Sequence, residues 1–126
     1  MSKLTVLVVD DEDDIREVVQ MSLEFGAGWE VLTASSGTEA ISKATESGPD
    51  LILLDVMMPG MDGPETFRQL QKEGLTRQIP VIFLTAKVQR TELLDLHELG
   101  AKGLISKPFD PMSLTAQIQE IVGDGA

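Results

Sequence analysis

Hydrophobic residues form short unbroken runs along this chain instead of alternating with polar ones. A run without alternation indicates a strand that is covered on both faces, as strands are in a parallel sheet. Four such runs are strong, and a fifth, weaker run is rich in residues that favour strands. The predicted strands are Leu4 to Val9, Trp29 to Ala34 (the weaker run), Leu51 to Leu54, Val81 to Leu84 and Leu104 to Ile105.

The segments between these runs carry apolar residues at helical spacing, with one hydrophobic stripe in each segment. Ser36 followed by Glu39 predicts a capping box, and Asp110 before Pro111 predicts a cap with proline at the first helical position. The third helix is predicted to open at Pro64. The stripes are Ile15, Val18, Val19 and Leu23 in the first helix, Phe67 and Leu70 in the third, Leu93 and Leu96 in the fourth (about Thr91 to Leu99), and Leu114, Ile118, Ile121 and Val122 in the last.

Five glycines stand where helices are expected to end, because glycine tolerates the left-handed conformation of a helix stop. Strand and helix therefore alternate five times, and short connections between such units demand right-handed crossovers. The prediction is an α/β fold with a doubly wound, five-stranded parallel sheet between helices. The predicted stops are Gly26, Gly48, Gly74, Gly100 and Gly123.

Composition limits the class of protein. The 126 residues, 42% of them hydrophobic, predict a single domain over residues 1–126 with its core at 4–122. Ten basic against 21 acidic side chains give a formal net charge of −11, which disfavours direct contact with nucleic acid or anionic lipid. There is no cysteine, so thiol chemistry and disulfides are excluded. No apolar run approaches the roughly 20 residues of a membrane span, and residues 1–10 lack a signal-peptide profile, which predicts a soluble cytoplasmic protein.

Polar residues follow four of the predicted strands at the point where each strand ends. Ligands of doubly wound sheets bind at this edge, so we expect these side chains to meet. Two carboxylates about 4 Å apart repel by roughly 4 kcal/mol at an effective dielectric near 20, so crowded acids need a cation or a shared proton. Oxygen ligands without thiolates favour Mg²⁺. The residues are Asp10 and Asp11, Asp55, Thr85 and Ala86, and Lys107.

Several other polar features have an ordinary structural explanation. The acids at 12–14 are favoured in a first helical turn by the helix dipole. Met57 to Pro64 is predicted to be a loop shaped by its prolines and glycines, and no glycine motif for nucleotide phosphates is present. His97 is predicted to lie on a helix surface. Asp55 differs, because it directly follows a buried strand, where a charge without a function gains nothing.

Four segments at these strand ends resemble the receiver domain of two-component response regulators. Each segment alone is a weak signal, but all four in this order are specific. The resemblance extends from about Leu4 to Val122, and it implies a flavodoxin-like fold with strand order 2-1-3-4-5, as in single-domain chemotaxis regulators. The segments are Val8-Val9-Asp10-Asp11, Leu53-Leu54-Asp55-Val56-Met57-Met58-Pro59-Gly60-Met61-Asp62-Gly63, Leu84-Thr85-Ala86 and Lys107-Pro108-Phe109.

The resemblance implies that Asp55 accepts a phosphoryl group. The donor would be a phosphohistidine on a sensor histidine kinase or on a histidine phosphotransfer domain. Mg²⁺ would be held by Asp11, Asp55 and the backbone carbonyl of Met57, with Asp10 acting through water. These roles describe a phosphorylation-switched signalling module and not a turnover enzyme.

The resemblance also assigns the residues around the transferred group. Lys107, the Thr85 hydroxyl and the Ala86 N–H would stabilise negative charge on the phosphoryl oxygens. The Lys107-Pro108 bond is expected to be cis. A kinase would contact the first helix around Ile15 and Val18 together with the Pro108-Phe109 loop.

Three positions modify the expected behaviour. Leu104 stands where the family has an aromatic switch residue, so an aliphatic repacking coupled to Thr85 would have to shift the face of the fourth helix, fifth strand and fifth helix. Met57 and Lys87 flank the route of an attacking water. Because the Met57 side chain cannot orient that water by a hydrogen bond, slow loss of the phosphoryl group is predicted.

Two other functions compete with this one. A phosphatase of the haloacid-dehalogenase type also uses an aspartyl nucleophile, but Glu12 stands where the second acid of its Asp-x-Asp signature belongs. A phosphorylation-independent adaptor would have no physical reason to keep every candidate side chain. Only residues 123–126 follow the last helix, so the chain is expected either to act by docking to another protein or to be part of a longer one.

Overall fold

Strands and helices alternate along the whole described part of the chain. In the computed structural model, which describes residues 3–86 and 89–123, there are five of each. They are β1 (Thr5–Val9), α1 (Asp13–Ala27), β2 (Glu30–Ala34), α2 (Gly37–Ser47), β3 (Leu51–Asp55), α3 (Gly63–Lys72), β4 (Val81–Thr85), α4 (Arg90–Glu98), β5 (Gly103–Ser106) and α5 (Leu114–Val122).

The strands form one parallel sheet in the order β2-β1-β3-β4-β5. This confirms the predicted doubly wound α/β fold and the strand order that the resemblance implied. The order reverses at β1, so β1 and β3 are neighbours in the middle of the sheet. Ligands of doubly wound sheets bind at such a reversal, beyond the carboxyl ends of the strands.

Both faces of the sheet are covered, which explains why the hydrophobic runs do not alternate. In β1, Leu7 and Val9 point into a cluster with Phe67 and Leu70 of α3, whereas Val6 and Val8 point into a second cluster on the other face. Successive strand residues face opposite sides, so a strand buried on both faces needs apolar residues at every position. The second cluster contains Val19 and Leu23 of α1 and Leu114 and Ile118 of α5.

Helix ends agree with the glycine predictions at three of five positions. Gly48, Gly100 and Gly123 have positive φ angles. The prediction for Gly26 is wrong, because α1 continues to Ala27 and Gly28 is the left-handed stop, with φ 69°. The prediction for Gly74 is also wrong: a hydrogen bond from the Thr76 hydroxyl to the Leu70 carbonyl, 2.6 Å long, satisfies the end of α3 instead.

Helix starts required smaller corrections. The Ser36 hydroxyl caps α2 by accepting from the Glu39 N–H, as predicted. α3 begins at Gly63, one residue before Pro64, with Asp62 as its cap. α5 begins at Leu114 and not after Asp110, because Asp110 accepts from Met112 N–H and organises a separate turn.

Five residues of the predicted helix stripes are not fully buried. Val18 is 38% exposed, because it lies on the outer flank of the α1 stripe, and the half-buried ones are Ile15, Leu93, Ile121 and Val122. None of the helices in the described part of the chain combines the length and the apolar character needed to cross a bilayer.

Candidate functional site

The candidate residues lie at one edge of the sheet. Asp55 and Thr85 are the last residues of β3 and β4, while Asp10 and Lys107 directly follow β1 and β5. Because all strands run the same way, these four positions meet at the carboxyl edge. The sequence prediction that they converge is confirmed by the contacts between them.

Lys107 joins two of the acids directly. Its Nζ donates to Oδ2 of Asp10 at 2.8 Å and to Oδ1 of Asp55 at 2.9 Å. Asp10 is fully buried and Asp55 is 4% exposed, so both ion pairs are largely shielded from water. The attraction between the charges is stronger there than at the surface, but the lost hydration of the buried acids opposes it. The contact between Lys107 and Asp10 was not predicted from the sequence, and the expected role of Asp10 toward Mg²⁺ through water stays a prediction.

Asp11 completes an acidic cluster. One carboxylate oxygen from each of Asp10, Asp11 and Asp55 lies within 4.8 Å of the others. Asp11 is exposed while its two partners are buried, so the cluster opens to solvent on one side. Three carboxylates facing one ammonium leave a net negative charge, and an all-oxygen donor set of this kind fits a hard divalent cation such as Mg²⁺.

The electrostatics of Asp55 are dominated by its burial. The pKa of Asp55 is raised from its usual 3.8 to about 6. Loss of hydration is the largest cause, and the charges of Asp10 and Asp11 add to it, whereas the hydrogen bond and the charge of Lys107 lower the pKa. Burial opposes the charge of Lys107, but its hydrogen bonds to Asp10 and Asp55 outweigh that effect and raise its pKa. At neutral pH the lysine is therefore an ammonium and Asp55 is a carboxylate held at an energetic cost.

The other predicted residues lie at or just after the ends of the same strands. Thr85 is fully buried, and its carbonyl accepts from the Lys107 N–H at 2.8 Å. Ala86 follows it and is exposed. The Met57 side chain is 65% exposed, two residues after Asp55. The Lys107-Pro108 bond is cis, as the resemblance implied.

Of the positions expected to modify the behaviour, Leu104 is half-buried against the cluster that contains Phe83. Lys87 lies outside the described residues. Asp13 and Asp14 lie in the first turn of α1, and His97 is on the exposed surface of α4, both as predicted.

Two residues near the site were missed by the sequence analysis. Gly63 looked like a turn residue, but a Cβ there would lie 2.3 Å from the Asp55 carbonyl oxygen, and its N–H donates to Val56 at 2.9 Å. Glycine thus lets the loop from Asp55 return against its own strand. The second residue is Arg16, which contacts the backbone carbonyl of Asp10. The sequence feature that could have indicated it is a single basic residue close to a run of acids.

The family model and the curated relatives that match this chain point to the same protein family. A family model described as "Response regulator receiver domain" matches residues 6–119. The chain is 42% identical to the phosphate regulon transcriptional regulatory protein PhoB of Pseudomonas aeruginosa, over 94% of this chain and 51% of that protein. It is 43% identical to the alkaline phosphatase synthesis transcriptional regulatory protein PhoP of Bacillus subtilis, over 93% of this chain and 48% of that protein. The chain therefore spans about half the length of these curated relatives.

Solved structures agree with the sequence relatives. The chemotaxis response regulator CheY4 of Vibrio cholerae superposes with a TM-score of 0.88 and 34% identity, covering 95% of this chain and 99% of that one. The N-terminal domain of a response regulator receiver protein from Methanoculleus marisnigri gives a TM-score of 0.78 and 38% identity, covering 97% and 98%.

The cost of ionising Asp55 is directly measurable as stability. Since folding raises its pKa from 3.8 to about 6, the charged form destabilises the fold above pH 6, and this penalty disappears as the pH falls toward 4. Asp55→Asn is therefore expected to raise the free energy of unfolding by about 2 kcal/mol at pH 7.5 without divalent cations, and much less at pH 4.5. Urea titrations at both pH values measure the difference.

Asp95→Asn is the matched control, because Asp95 is an exposed acid on α4 and its loss should change stability by less than about 0.5 kcal/mol. Equal stability of the parent and Asp55→Asn at pH 7.5 would contradict the assignment of a strained carboxylate.

Proposed function

Because this chain belongs to the family of response regulator receiver domains, we propose that it is a signalling module switched by phosphorylation of Asp55. The donor is a phosphohistidine on a sensor histidine kinase or on a histidine phosphotransfer domain. The observation that carries the proposal is the contact of the Lys107 ammonium with the buried Asp55 carboxylate, beside an acidic cluster open to solvent.

Asp55 is proposed as the nucleophile. One of its carboxylate oxygens forms a bond to phosphorus, the bond from phosphorus to the donor's imidazole nitrogen breaks, and that nitrogen keeps the electron pair. The pKa of about 6 leaves Asp55 ionised at neutral pH. Its burial removes competing water, so the carboxylate is a stronger nucleophile than an exposed one.

Other residues stabilise the charge on the transferred group. The Lys107 ammonium already lies against Asp55 and can donate to a phosphoryl oxygen, while the Thr85 hydroxyl and the Ala86 N–H are donors from the neighbouring strand end. Mg²⁺ would be held by Asp11, Asp55 and the Met57 carbonyl, with Asp10 acting through water, and when bound it would neutralise further negative charge. The acidic cluster supports this assignment.

The donor is proposed to dock on an apolar surface beside the site. A groove of about 300 Å³ next to Lys107 is lined by Ile15, Val18, Phe109 and Pro111 among others. It continues along α1 and the start of α5, where three large apolar side chains are exposed: Met21 by 56%, Phe25 by 83% and Met112 by 92%. Exposed apolar surface of this extent marks an interaction site.

The family match favours this function over a phosphatase of the haloacid-dehalogenase type. A receiver is modified once and then loses its phosphoryl group, so the chain is proposed not to turn over small phosphomonoesters. Residues 1–126 are proposed to act as one such domain. The expected shift of the α4-β5-α5 face on phosphorylation stays a prediction.

Phosphorylation itself is tested with a small donor. Incubation with acetyl phosphate and Mg²⁺, followed by intact mass measurement, is expected to show one phosphoryl group on the parent and none on Asp55→Asn. Asp62→Asn is the control, since it removes a neighbouring acid but keeps the side-chain oxygen that caps α3; it should be modified like the parent. A phosphoryl adduct on Asp55→Asn would show that Asp55 is not the nucleophile.

Met57 is expected to control the lifetime of the phosphoryl group. Its exposed apolar side chain cannot orient a water molecule, whereas an amide at this position could. Met57→Asn, phosphorylated and freed of donor, should therefore lose its phosphoryl group severalfold faster than the parent in a mass-resolved time course. Met112→Asn changes an equally apolar, exposed residue far along the chain and should decay at the parental rate. A parental rate in Met57→Asn would refute this role.

Docking is separated from chemistry by using two donors. Val18→Asp places a charge in the groove and is expected to slow transfer from a phosphorylated histidine phosphotransfer domain by about tenfold, the effect of losing one anchoring apolar contact. Labelling by acetyl phosphate should not change. Leu75→Asp alters an apolar residue that is 75% exposed before β4 and should affect neither reaction. If Val18→Asp slowed phosphorylation equally with both donors, the substitution would be acting on the phosphorylation site and not on docking.

A further inference from the structure

The turn that leaves β1 is held by contacts on every side of Asp10. Its N–H donates to the Ala34 carbonyl at 3.2 Å. Its Oδ1 accepts from the Glu12 N–H at 2.9 Å, and its Oδ2 accepts from Lys107. Its backbone carbonyl accepts from Nη1 of Arg16 at 2.7 Å. The last of these contacts holds the carbonyl of the peptide that leads out of Asp10.

That peptide determines where Asp11 points. A peptide unit is planar, so the carbonyl of Asp10 and the N–H of Asp11 turn together as one rigid group. Asp11 is exposed, and its direction toward the other two acids depends on this backbone. Holding the Asp10 carbonyl therefore orients the exposed member of the acidic cluster.

Arg16 is well placed to hold it. The Arg16 side chain is only 18% exposed and also pairs with the carboxylate of Asp13, which keeps the guanidinium in place. It is the only basic residue of α1. A guanidinium presents several donors in a fixed fork, so it can bind the Asp10 carbonyl and Asp13 at once, which a single ammonium does less well.

We propose that Arg16 is a positioning residue for the metal site: by binding the carbonyl of Asp10 it presents Asp11 to the cation. This inference rests on the proposed function, since it assumes that the acidic cluster holds Mg²⁺. The proposed role is indirect, because Arg16 contacts the backbone carbonyl of Asp10 and not a carboxylate of the acidic cluster.

A positioning role and a purely electrostatic role of Arg16 predict opposite changes in Mg²⁺ affinity when Arg16 is replaced. By Coulomb's law alone, removing a cation close to an acidic cluster should tighten the binding of Mg²⁺. Loss of the hydrogen bond to Asp10 should weaken it, because residues that orient metal ligands typically contribute about tenfold or more to metal affinity. The sign of the change therefore separates the two effects.

The test is a titration of the folded protein with Mg²⁺ alone, followed by the amide resonances of residues near the cluster. Arg16→Gln is expected to bind Mg²⁺ about tenfold more weakly than the parent. Arg16→Lys, which keeps the charge but loses the fork, is expected to fall between them. Arg77→Gln makes the same change in charge on the connection that precedes β4 and should not weaken binding.

Unfolding by urea in the absence of Mg²⁺ identifies a merely structural role, which would lower stability while leaving the Mg²⁺ affinity of the folded variant unchanged. Unchanged or tighter binding by Arg16→Gln, or by Arg16→Lys if the first variant does not fold, overturns the inference. A parent protein that does not bind Mg²⁺ would instead count against the proposed function itself, so the two failures are distinguishable.

Discussion

The site depends on one lysine that binds two buried acids. The hydrogen bonds from Lys107 to Asp10 and Asp55 connect residues 97 and 52 positions apart in the sequence, and they join the ends of β1, β3 and β5. Without the ammonium, two adjacent carboxylates would be buried together, and their repulsion and lost hydration would both oppose folding. The lysine thus makes the buried acids tolerable while leaving a net negative charge beside them.

The remaining electrostatic strain is concentrated at Asp55, the proposed nucleophile. Burial raises the pKa of Asp55 to about 6, so its ionised form is less stable than that of an ordinary aspartate but still predominates at neutral pH. A cation bound at this position would relieve part of the strain. The fold supports this arrangement because the strands behind Asp55 are covered on both faces and cannot easily move.

Two basic side chains, Lys107 and Arg16, bind different groups of Asp10. Lys107 binds its carboxylate, whereas Arg16 binds its backbone carbonyl. The acid is therefore fixed both in the direction of its side chain and in the direction of the chain that follows it. Next to this rigid edge lies the apolar groove beside Phe109 and Pro111. The proposed donor, docked in this groove, would meet side chains that are already in position, which would lower the entropic cost of the proposed transfer.

The sequence by itself determined the alternation of strands and helices, the double-sided burial of the strands and the edge at which the acids lie, because these follow from local periodicity, caps and strand ends. Its glycine rule failed at Gly26 and Gly74, where the neighbouring Gly28 and the hydroxyl of Thr76 end the helices instead. Only the tertiary structure decided that Lys107 bridges Asp10 as well as Asp55, that Arg16 holds the β1 turn, that Gly63 must lack a side chain and that Val18 is exposed. These features depend on the register and packing of elements distant in the chain, and no local pattern of residues encodes the distance between two side chains that meet only after the sheet has formed.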